Sequence, residues 1–214
     1  MKTYPLKPLS LVLLIFGFST TVSALEGDAE RGKAAAAVCT ACHQADGSGL
    51  SVPGAESWPR LAGLNAAYIY KQLQDFNSGQ RTNAAMAPFA AMLSDQQMQD
   101  VAVYFSQLVP RLAQGGEAVD EALLKQGEML VTRGDWSRYI PSCQSCHGPN
   151  SQGAGASFPG IAGQHAGYLE AQLYNWQQGK RRNDPQQLML AIAERMNADD
   201  IKAVAAWLSM QPAK

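Results

Sequence analysis

Two copies of one short motif constrain this chain more than any other feature. The first reads Cys39-Thr40-Ala41-Cys42-His43 and the second Cys143-Gln144-Ser145-Cys146-His147. Together they contain all four cysteines and two of the three histidines. A C-x-x-C-H motif is typical of c-type haem attachment, in which both thiols bond to the porphyrin and the histidine binds the iron. The sequence therefore predicts two covalent haem c groups, on Cys39 and Cys42 and on Cys143 and Cys146, with His43 and His147 as iron ligands.

Two other uses of a C-x-x-C pair fit less well. A zinc site built from two cysteine pairs places them closer together than the 104 positions that separate Cys39 from Cys143. A redox dithiol gives no reason for a histidine directly after each motif.

Residues 1–24 have the pattern of a cleaved secretory signal. Lys2 and Lys7 precede a mostly apolar stretch at 9–18, and Val22-Ser23-Ala24 offers small residues for cleavage. The apolar core is about ten residues long, half of the roughly twenty that span a bilayer, so a membrane anchor is disfavoured. Since no cysteine lies near the cleavage point, lipid attachment there is excluded as well. We predict export to a bacterial periplasm, and the sequence leaves peripheral association with a membrane open.

The charge of the chain argues against a polyanionic partner. The predicted signal carries two of the 17 basic residues and none of the 18 acidic ones, so the mature chain has a net charge of −3. A nucleic-acid interface therefore has no support. The acidity is concentrated in residues 25–110, which contain five basic and eight acidic residues, against nine of each in residues 120–214.

An internal repeat indicates two domains. Residues 58–63 (Trp-Pro-Arg-Leu-Ala-Gly) correspond to residues 158–163 (Phe-Pro-Gly-Ile-Ala-Gly), and Tyr68, Gln72, Arg81 and other positions recur 100 residues later. We predict a first domain at 25–110, a linker at 111–119 and a second domain at 120–214.

Each predicted domain is all-α. The first contains an alanine-rich helix at 28–42 that ends in the haem motif, a Gly- and Pro-rich loop at 44–63 and a helix at 65–77. Ser94 and Gln97 form a capping box that begins its last helix, and residues 199–210 form the last helix of the second domain. No convincing strand is predicted.

Methionine is the expected second ligand of each iron. Only His165 remains after the two motif histidines, so at most one haem could have two histidine ligands. Met86 and Met189 occupy equivalent positions of the repeat, in segments predicted to be irregular, 43 and 42 residues after His43 and His147. We assign these two as axial ligands. They could instead only line the haem pockets, with Met92 and Met196 as alternative ligands.

Three further residues carry smaller predictions. His165 is expected to form a hydrogen bond at the surface or between the domains rather than bind a metal. Gly32 and Gly127 are expected to contact Tyr104 and Trp207 of the last helices, since both pairs recur.

These features resemble the dihaem cytochrome c4 family, whose members are periplasmic electron carriers with two class-I-like cytochrome c domains. The resemblance covers the mature chain and includes the Pro-x-Leu/Ile-Ala-Gly loops, residues 81–83 (Arg-Thr-Asn) and residues 93–95 (Leu-Ser-Asp). The family's distal methionine, seven positions before that leucine, is Met86 here, and by register Met189. In the second domain Met196-Asn197-Ala198-Asp199 departs from the family pattern, so Met196 stays a candidate there.

The resemblance implies electron transfer between a quinol:cytochrome c oxidoreductase or a periplasmic dehydrogenase and a terminal oxidase. A six-coordinate iron has no vacant position for a substrate, so no enzymatic activity is predicted. The alternatives are an electron-transfer subunit of a sulfide or sulfur-compound dehydrogenase and a dihaem enzyme such as a peroxidase.

Overall fold

The chain folds into helices with very little strand, which confirms the all-α prediction. A computed structural model describes residues 25–52, 54, 57–111 and 120–214. The predicted signal at 1–24 and residues 112–119 of the predicted linker lie outside the described residues. We call residues 25–111 the first half and residues 120–214 the second half.

The two halves repeat one order of five helices. In the first half these are α1 (Ala29–Ala35), α2 (Thr40–His43), α3 (Ala66–Asn77), α4 (Met86–Ala91) and α5 (Asp95–Gln107). In the second half they are α6 (Glu121–Thr132), α7 (Gln144–His147), α8 (Ala166–Gln177), α9 (Leu188–Ala193) and α10 (Ala198–Ser209). Short 3-10 turns occupy Ala36–Val38, Trp136–Arg138, Pro149–Ser151 and Pro185–Gln187. The helix predicted at 28–42 is therefore interrupted by a 3-10 turn between α1 and α2.

A small antiparallel ribbon is the one departure from helix among the named elements. Strands β1 (Gly134–Asp135) and β2 (Ile140–Pro141) pair with Gly134 opposite Pro141 and Asp135 opposite Ile140. The sequence did not predict it, because strands of two residues are too short to show an alternating pattern.

The helix starts follow local capping chemistry. Ser94 Oγ accepts a hydrogen bond from the Gln97 backbone N–H (3.2 Å), and Gln97 Oε1 accepts one from the Ser94 backbone N–H (2.9 Å). This confirms the predicted capping box at the start of α5. Asn197 and Asp200 form the equivalent reciprocal pair at the start of α10.

Each half has its own apolar core, in which the first helix packs on the last. Phe105 and Val101 of α5 are buried in the first core, and Ile201 and Leu208 of α10 in the second. The predicted glycine contacts are confirmed. A Cβ on Gly32 would overlap the Asp100 carbonyl oxygen and lie 2.8 Å from the Cβ of Tyr104. At Gly127 it would overlap the Ala203 carbonyl oxygen and lie 2.8 Å from the Cβ of Trp207.

The halves meet through a buried arginine. The Arg60 N–H donates to Gln164 Oε1 (2.8 Å), and Gln164 Nε2 donates back to the Arg60 carbonyl (3.0 Å). The guanidinium of Arg60 donates to the carbonyls of Ala62, Ala162 (2.9 Å) and Gly163 (3.2 Å). One side chain of the first half therefore binds the equivalent turns of both halves.

His165 adds a second contact between the halves. Its side chain is buried, and Nε2 lies 2.8 Å from the carbonyl oxygen of Ser48. A hydrogen-bonding role was predicted for this residue, and the structure places it between the halves.

No helix among the described ranges has the length and apolar character that crossing a lipid bilayer requires.

Acid is expected to weaken the α1–α5 contact. Asp100 Oδ1 accepts from the Asp28 N–H (2.7 Å), and its two oxygens accept from Arg31 at 2.8 and 2.9 Å. The hydrogen bond from Arg31 is the main reason that the pKa of Asp100 is lowered to about 2. The pKa of Asp100 is lower in the folded protein than the ordinary aspartate pKa near 4, so the ionised carboxylate stabilises the fold above about pH 4. This stabilisation is lost as the pH falls towards 2. The thermal unfolding midpoint of the wild type should therefore fall between about pH 4 and pH 2. In the Asp100→Asn variant the midpoint should depend less on pH over this range. The same pH dependence in both proteins would contradict the prediction.

Candidate haem-binding site

One continuous cavity of about 710 Å³ lies between the two halves. Every predicted site residue contributes to its wall: Cys39, Cys42, His43, Met86, Cys143, Cys146, His147 and Met189. The remainder of the wall is mostly apolar, with Leu73, Leu173 and Trp176 among its members. The cavity suits a large apolar cofactor that has polar groups at a few points.

Helices α2 and α7 bring each motif's side chains to one side. The N–H of His43 donates to the carbonyl of Cys39 (2.9 Å), and His147 donates equally to Cys143 (2.9 Å). Within one such turn, positions i, i+3 and i+4 lie on the same face. Both cysteines and the histidine of each motif can therefore reach one porphyrin.

Each motif histidine is oriented by a proline carbonyl. His43 Nδ1 lies 2.8 Å from the Pro59 oxygen, and His147 Nδ1 lies 2.7 Å from the Pro159 oxygen. Both rings are buried, and burial lowers both pKa values although the proline carbonyls oppose this. Neutral imidazoles with Nδ1–H as donor leave Nε2 as the atom available to an iron.

Met86 and Met189 lie in the first turns of α4 and α9. The prediction that their segments are irregular is therefore wrong. Asn83 Oδ1 accepts from the Met86 N–H (3.0 Å), and Asp184 Oδ2 accepts from the Met189 N–H (2.7 Å). The first N–H groups of a helix have no carbonyl partner within the helix, and these side-chain oxygens accept from them instead. The sequence pattern did not reveal this capping.

The alternative methionines differ in position. Met92 is 69% exposed and is absent from the cavity wall, whereas Met196 is 7% exposed and belongs to it. Among the described side chains, Met196 is therefore the alternative iron ligand that remains consistent with the structure.

The thiols do not resemble those of a redox dithiol. Burial raises the pKa of Cys143 to about 12 and also raises that of Cys39. Catalytic dithiols instead need a lowered thiol pKa. Within the described part of the chain, no three His, Cys, Asp or Glu side chains come together as a metal cluster, so the zinc alternative gains no support.

A polar cluster lies where the two ends of the cavity meet. We call it the central arginine cluster, and its members are Arg81, Arg181, Gln72, Gln172, Tyr68 and Tyr168. Both guanidiniums donate to both glutamine oxygens, at 2.8 to 3.3 Å. Arg81 also donates to the Tyr168 hydroxyl (2.9 Å) and Arg181 to the Tyr68 hydroxyl (3.3 Å).

The cluster makes the middle of the cavity positive. Arg81 and Arg181 are both buried, and backbone atoms of the two residues form an isolated antiparallel bridge. Burial alone would raise the pKa of Tyr68, but the charges of Arg181 and Arg81 outweigh it and lower that pKa. From the sequence, Arg81, Arg181, Gln72 and Gln172 are repeated positions with no predicted role, whereas Tyr68 and Tyr168 were expected either to shield haem or its propionates or to pack in the core. The recurrence of all six at a spacing of 100 was the available signal.

Comparison with known proteins agrees with this geometry. The family model described as cytochrome c matches residues 29–108 and 137–211. The thiosulfate dehydrogenase electron acceptor of Stutzerimonas stutzeri (strain A1501) is 48% identical over 176 residues, which is 82% of this chain and 79% of that protein. Cytochrome c4 of Pseudomonas aeruginosa is 38% identical over 204 residues, 94% of this chain and 97% of that protein.

A solved structure shows the same fold. The crystal structure of reduced recombinant cytochrome c4 from Pseudomonas stutzeri aligns with a TM-score of 0.78 at 36% identity, covering 87% of this chain and 100% of that chain. Fold, repeat and cavity together define a c-type cytochrome with two haem sites. The chain belongs to the cytochrome c family, within its dihaem cytochrome c4 group. It carries two covalent haem c groups and is an electron carrier.

Proposed function

We propose that this protein is a periplasmic acceptor of electrons from a sulfur-compound dehydrogenase, and that it delivers them to a terminal oxidase. The 48% identity to a thiosulfate dehydrogenase electron acceptor is the observation that carries the choice of donor. The predicted signal at residues 1–24 supports the compartment. A quinol:cytochrome c oxidoreductase is the second candidate donor, as the resemblance to the cytochrome c4 family implies; a relative named cytochrome c4 aligns over 94% of the chain.

Each half supplies a full set of groups for one haem. In this proposal Cys39 and Cys42 would bond covalently to the first haem, and His43 and Met86 would be the ligands of its iron. Cys143, Cys146, His147 and Met189 do the same for the second haem. The support is that all eight side chains line one cavity and that both imidazoles are held by proline carbonyls. When bound, each haem supplies one reversible electron at its iron.

Arg81 and Arg181 suit the acidic groups of a porphyrin. Haem carries two propionate carboxylates on one edge, and buried carboxylates need charge-assisted donors. The central arginine cluster presents two buried guanidiniums to the cavity. We propose that these arginines would bind the propionates and offset their charge.

A carrier role follows from the ligand set. An iron bound by histidine and methionine has no vacant position for peroxide or a sulfur compound, so the chain's own groups exclude substrate rather than activate it. Both candidate haem sites line one cavity, which supports electron exchange between the two haems within the chain. The domain boundaries at 25–110 and 120–214 stay predictions.

Stopped-flow reduction tests the proposed donor. The oxidised holoprotein is mixed with thiosulfate dehydrogenase and thiosulfate, and the expected result is rapid reduction of two haems per chain, with one electron at each iron. Dithionite, which needs no docking, gives the full reducible amplitude. Reduction by a quinol:cytochrome c oxidoreductase but not by the dehydrogenase would favour the second donor. Rapid binding of carbon monoxide to either reduced haem would contradict the carrier role.

A further inference from the structure

Gln164 of the second half binds a backbone peptide group of the first half. Its Oε1 accepts from the Arg60 N–H (2.8 Å), and its Nε2 donates to the Arg60 carbonyl (3.0 Å). The His165 N–H also donates to Oε1 (3.0 Å). Because a backbone N–H can only donate and a carbonyl can only accept, these partners fix the orientation of the amide. Gln164 is 3% exposed, so these bonds lie in a region of low dielectric constant, where hydrogen bonds are stronger than in water.

The bond from Gln164 continues to a motif histidine through one peptide group. The Arg60 N–H and the Pro59 carbonyl belong to the same peptide, and this carbonyl accepts from His43 Nδ1 (2.8 Å). We call the series of Gln164 Oε1, the peptide and the His43 imidazole the relay. A peptide that donates through its N–H is more polarised, and its carbonyl becomes a stronger acceptor. Gln164 therefore strengthens the hydrogen bond that orients His43, although it acts only through the peptide.

The second copy of the repeat has no equivalent side chain for such a relay. His147 Nδ1 lies 2.7 Å from the Pro159 carbonyl, so the bond to the imidazole has nearly the same length in both copies. The residue equivalent to Gln164 is Leu64, a buried side chain without an acceptor atom. Leu64 therefore cannot polarise the Pro159–Gly160 peptide. The two motif histidines differ in the side chain that the other half presents to their peptide.

This difference bears on the two haem potentials. A stronger hydrogen bond from the free ring nitrogen makes an axial imidazole more basic. A more basic ligand favours ferric over ferrous iron and so lowers the reduction potential, because hydrogen bonding to the ligands is one of the protein's means of setting that potential. Gln164 is an uncharged side chain, so its effect is expected mainly at the histidine with which it shares the relay.

We propose that Gln164 is a positioning residue of the second half that lowers the potential of the first haem through the Pro59–Arg60 peptide. A lower potential at the first haem favours passage of an electron from the first haem to the second. The relay joins the two halves, so the potential of the first haem depends on the contact between them. The inference rests on His43 as an iron ligand, as proposed above.

Gln164→Leu tests the relay, because Leu64 shows that the fold accommodates leucine at the equivalent position. In the reduced, diamagnetic holoprotein, the proton signal of His43 Nδ1–H should move upfield as its hydrogen bond weakens, and that of His147 should stay. At partial reduction, the distribution of electrons should move towards the first haem by on the order of threefold. That ratio is about 30 mV at roughly 59 mV per tenfold. Proton NMR contacts to Leu73 or Leu173 of the cavity wall distinguish the two haems.

His165→Ala is the matched control. It removes another buried contact between the halves, the bond to the Ser48 carbonyl (2.8 Å), and keeps the backbone N–H that donates to Gln164. Both Nδ1–H signals and the electron distribution should stay as in the wild type. Gln164→Glu keeps an acceptor oxygen and makes it a stronger one, so the His43 signal should move downfield. This variant keeps the test decisive if the leucine variant does not fold.

Two results would overturn the proposal. One is an equal change in Gln164→Leu and His165→Ala, which would show a general loosening of the contact between the halves. The other is a His43 signal that stays in place in both Gln164 variants. Failure of the carrier function is distinguishable from both, because rapid binding of carbon monoxide would then appear in the wild type itself.

Discussion

Replacing Met86 with alanine should remove half of the near-infrared band that a methionine sulfur–iron bond gives an oxidised c-type haem. Met189→Ala should remove the other half. The physical reason is that each methionine lies in the wall of the haem cavity, in the first turn of a short helix held by a side-chain oxygen of Asn83 or Asp184. Loss of a thioether ligand should also lower the potential of that haem by on the order of 0.1–0.3 V, within the roughly 0.8 V that axial ligands span.

The other methionines provide the controls. Met92→Ala should leave the band intact, because Met92 is 69% exposed and lies outside the cavity wall. Met196→Ala is the sharper comparison, since Met196 is in the wall of the second site. If Met196→Ala removed half of the band and Met189→Ala left it unchanged, Met196 would be the ligand of the second haem.

Gly127→Ala should be among the most destabilising single methyl additions in the second half. A Cβ at this position would overlap the Ala203 carbonyl oxygen and approach the Cβ of Trp207 to 2.8 Å. Two helix backbones would have to separate, which outweighs the gain of about 1 kcal/mol in helix propensity. We expect a net loss of about 3 kcal/mol in the free energy of unfolding, measured by denaturant titration of the holoprotein.

Two further variants serve as comparisons for Gly127→Ala. Gly32→Ala should destabilise the first half similarly, because its Cβ would overlap the Asp100 carbonyl oxygen. Glu128→Ala, at the exposed neighbouring position of α6, should change stability by no more than about 0.5 kcal/mol. A Gly127→Ala protein as stable as the Glu128→Ala control would show that the α6–α10 contact is not tight.

Prediction from the sequence was most accurate where the interacting residues are close together in the chain or recur in both copies of the repeat. The C-x-x-C-H motifs fix their own geometry within one helical turn, and the Ser94 capping box is decided by residues three positions apart. The close helix contacts at Gly32 and Gly127 were predictable because glycine recurs opposite a large aromatic residue in both copies. Repetition also selected Met86 and Met189 from eight methionines.

Contacts between distant segments could not be predicted in the same way. Nothing in the sequence marks the carbonyls of Pro59 and Pro159 as partners of the motif histidines, because every residue has a carbonyl. The helices α4 and α9 were missed because they are six residues long, and one begins after Pro185. The bond between His165 and Ser48 joins residues 117 positions apart, and only the packing of the two halves brings them together.

The position of Arg60 distinguishes two copies joined in one chain from a dimer of identical subunits. Its guanidinium binds the carbonyls of Ala62 and Ala162, equivalent atoms of the two copies, so it sits near the approximate twofold axis that relates them. On a twofold axis a side chain would overlap its own symmetry equivalent, so only one of two equivalent side chains can lie there. The equivalent position is Gly160, where even a Cβ would lie 2.8 Å from the Gln152 carbonyl oxygen. Two identical subunits could not each put an arginine there, so joining the copies in one chain allows a central contact that a symmetric dimer could not form.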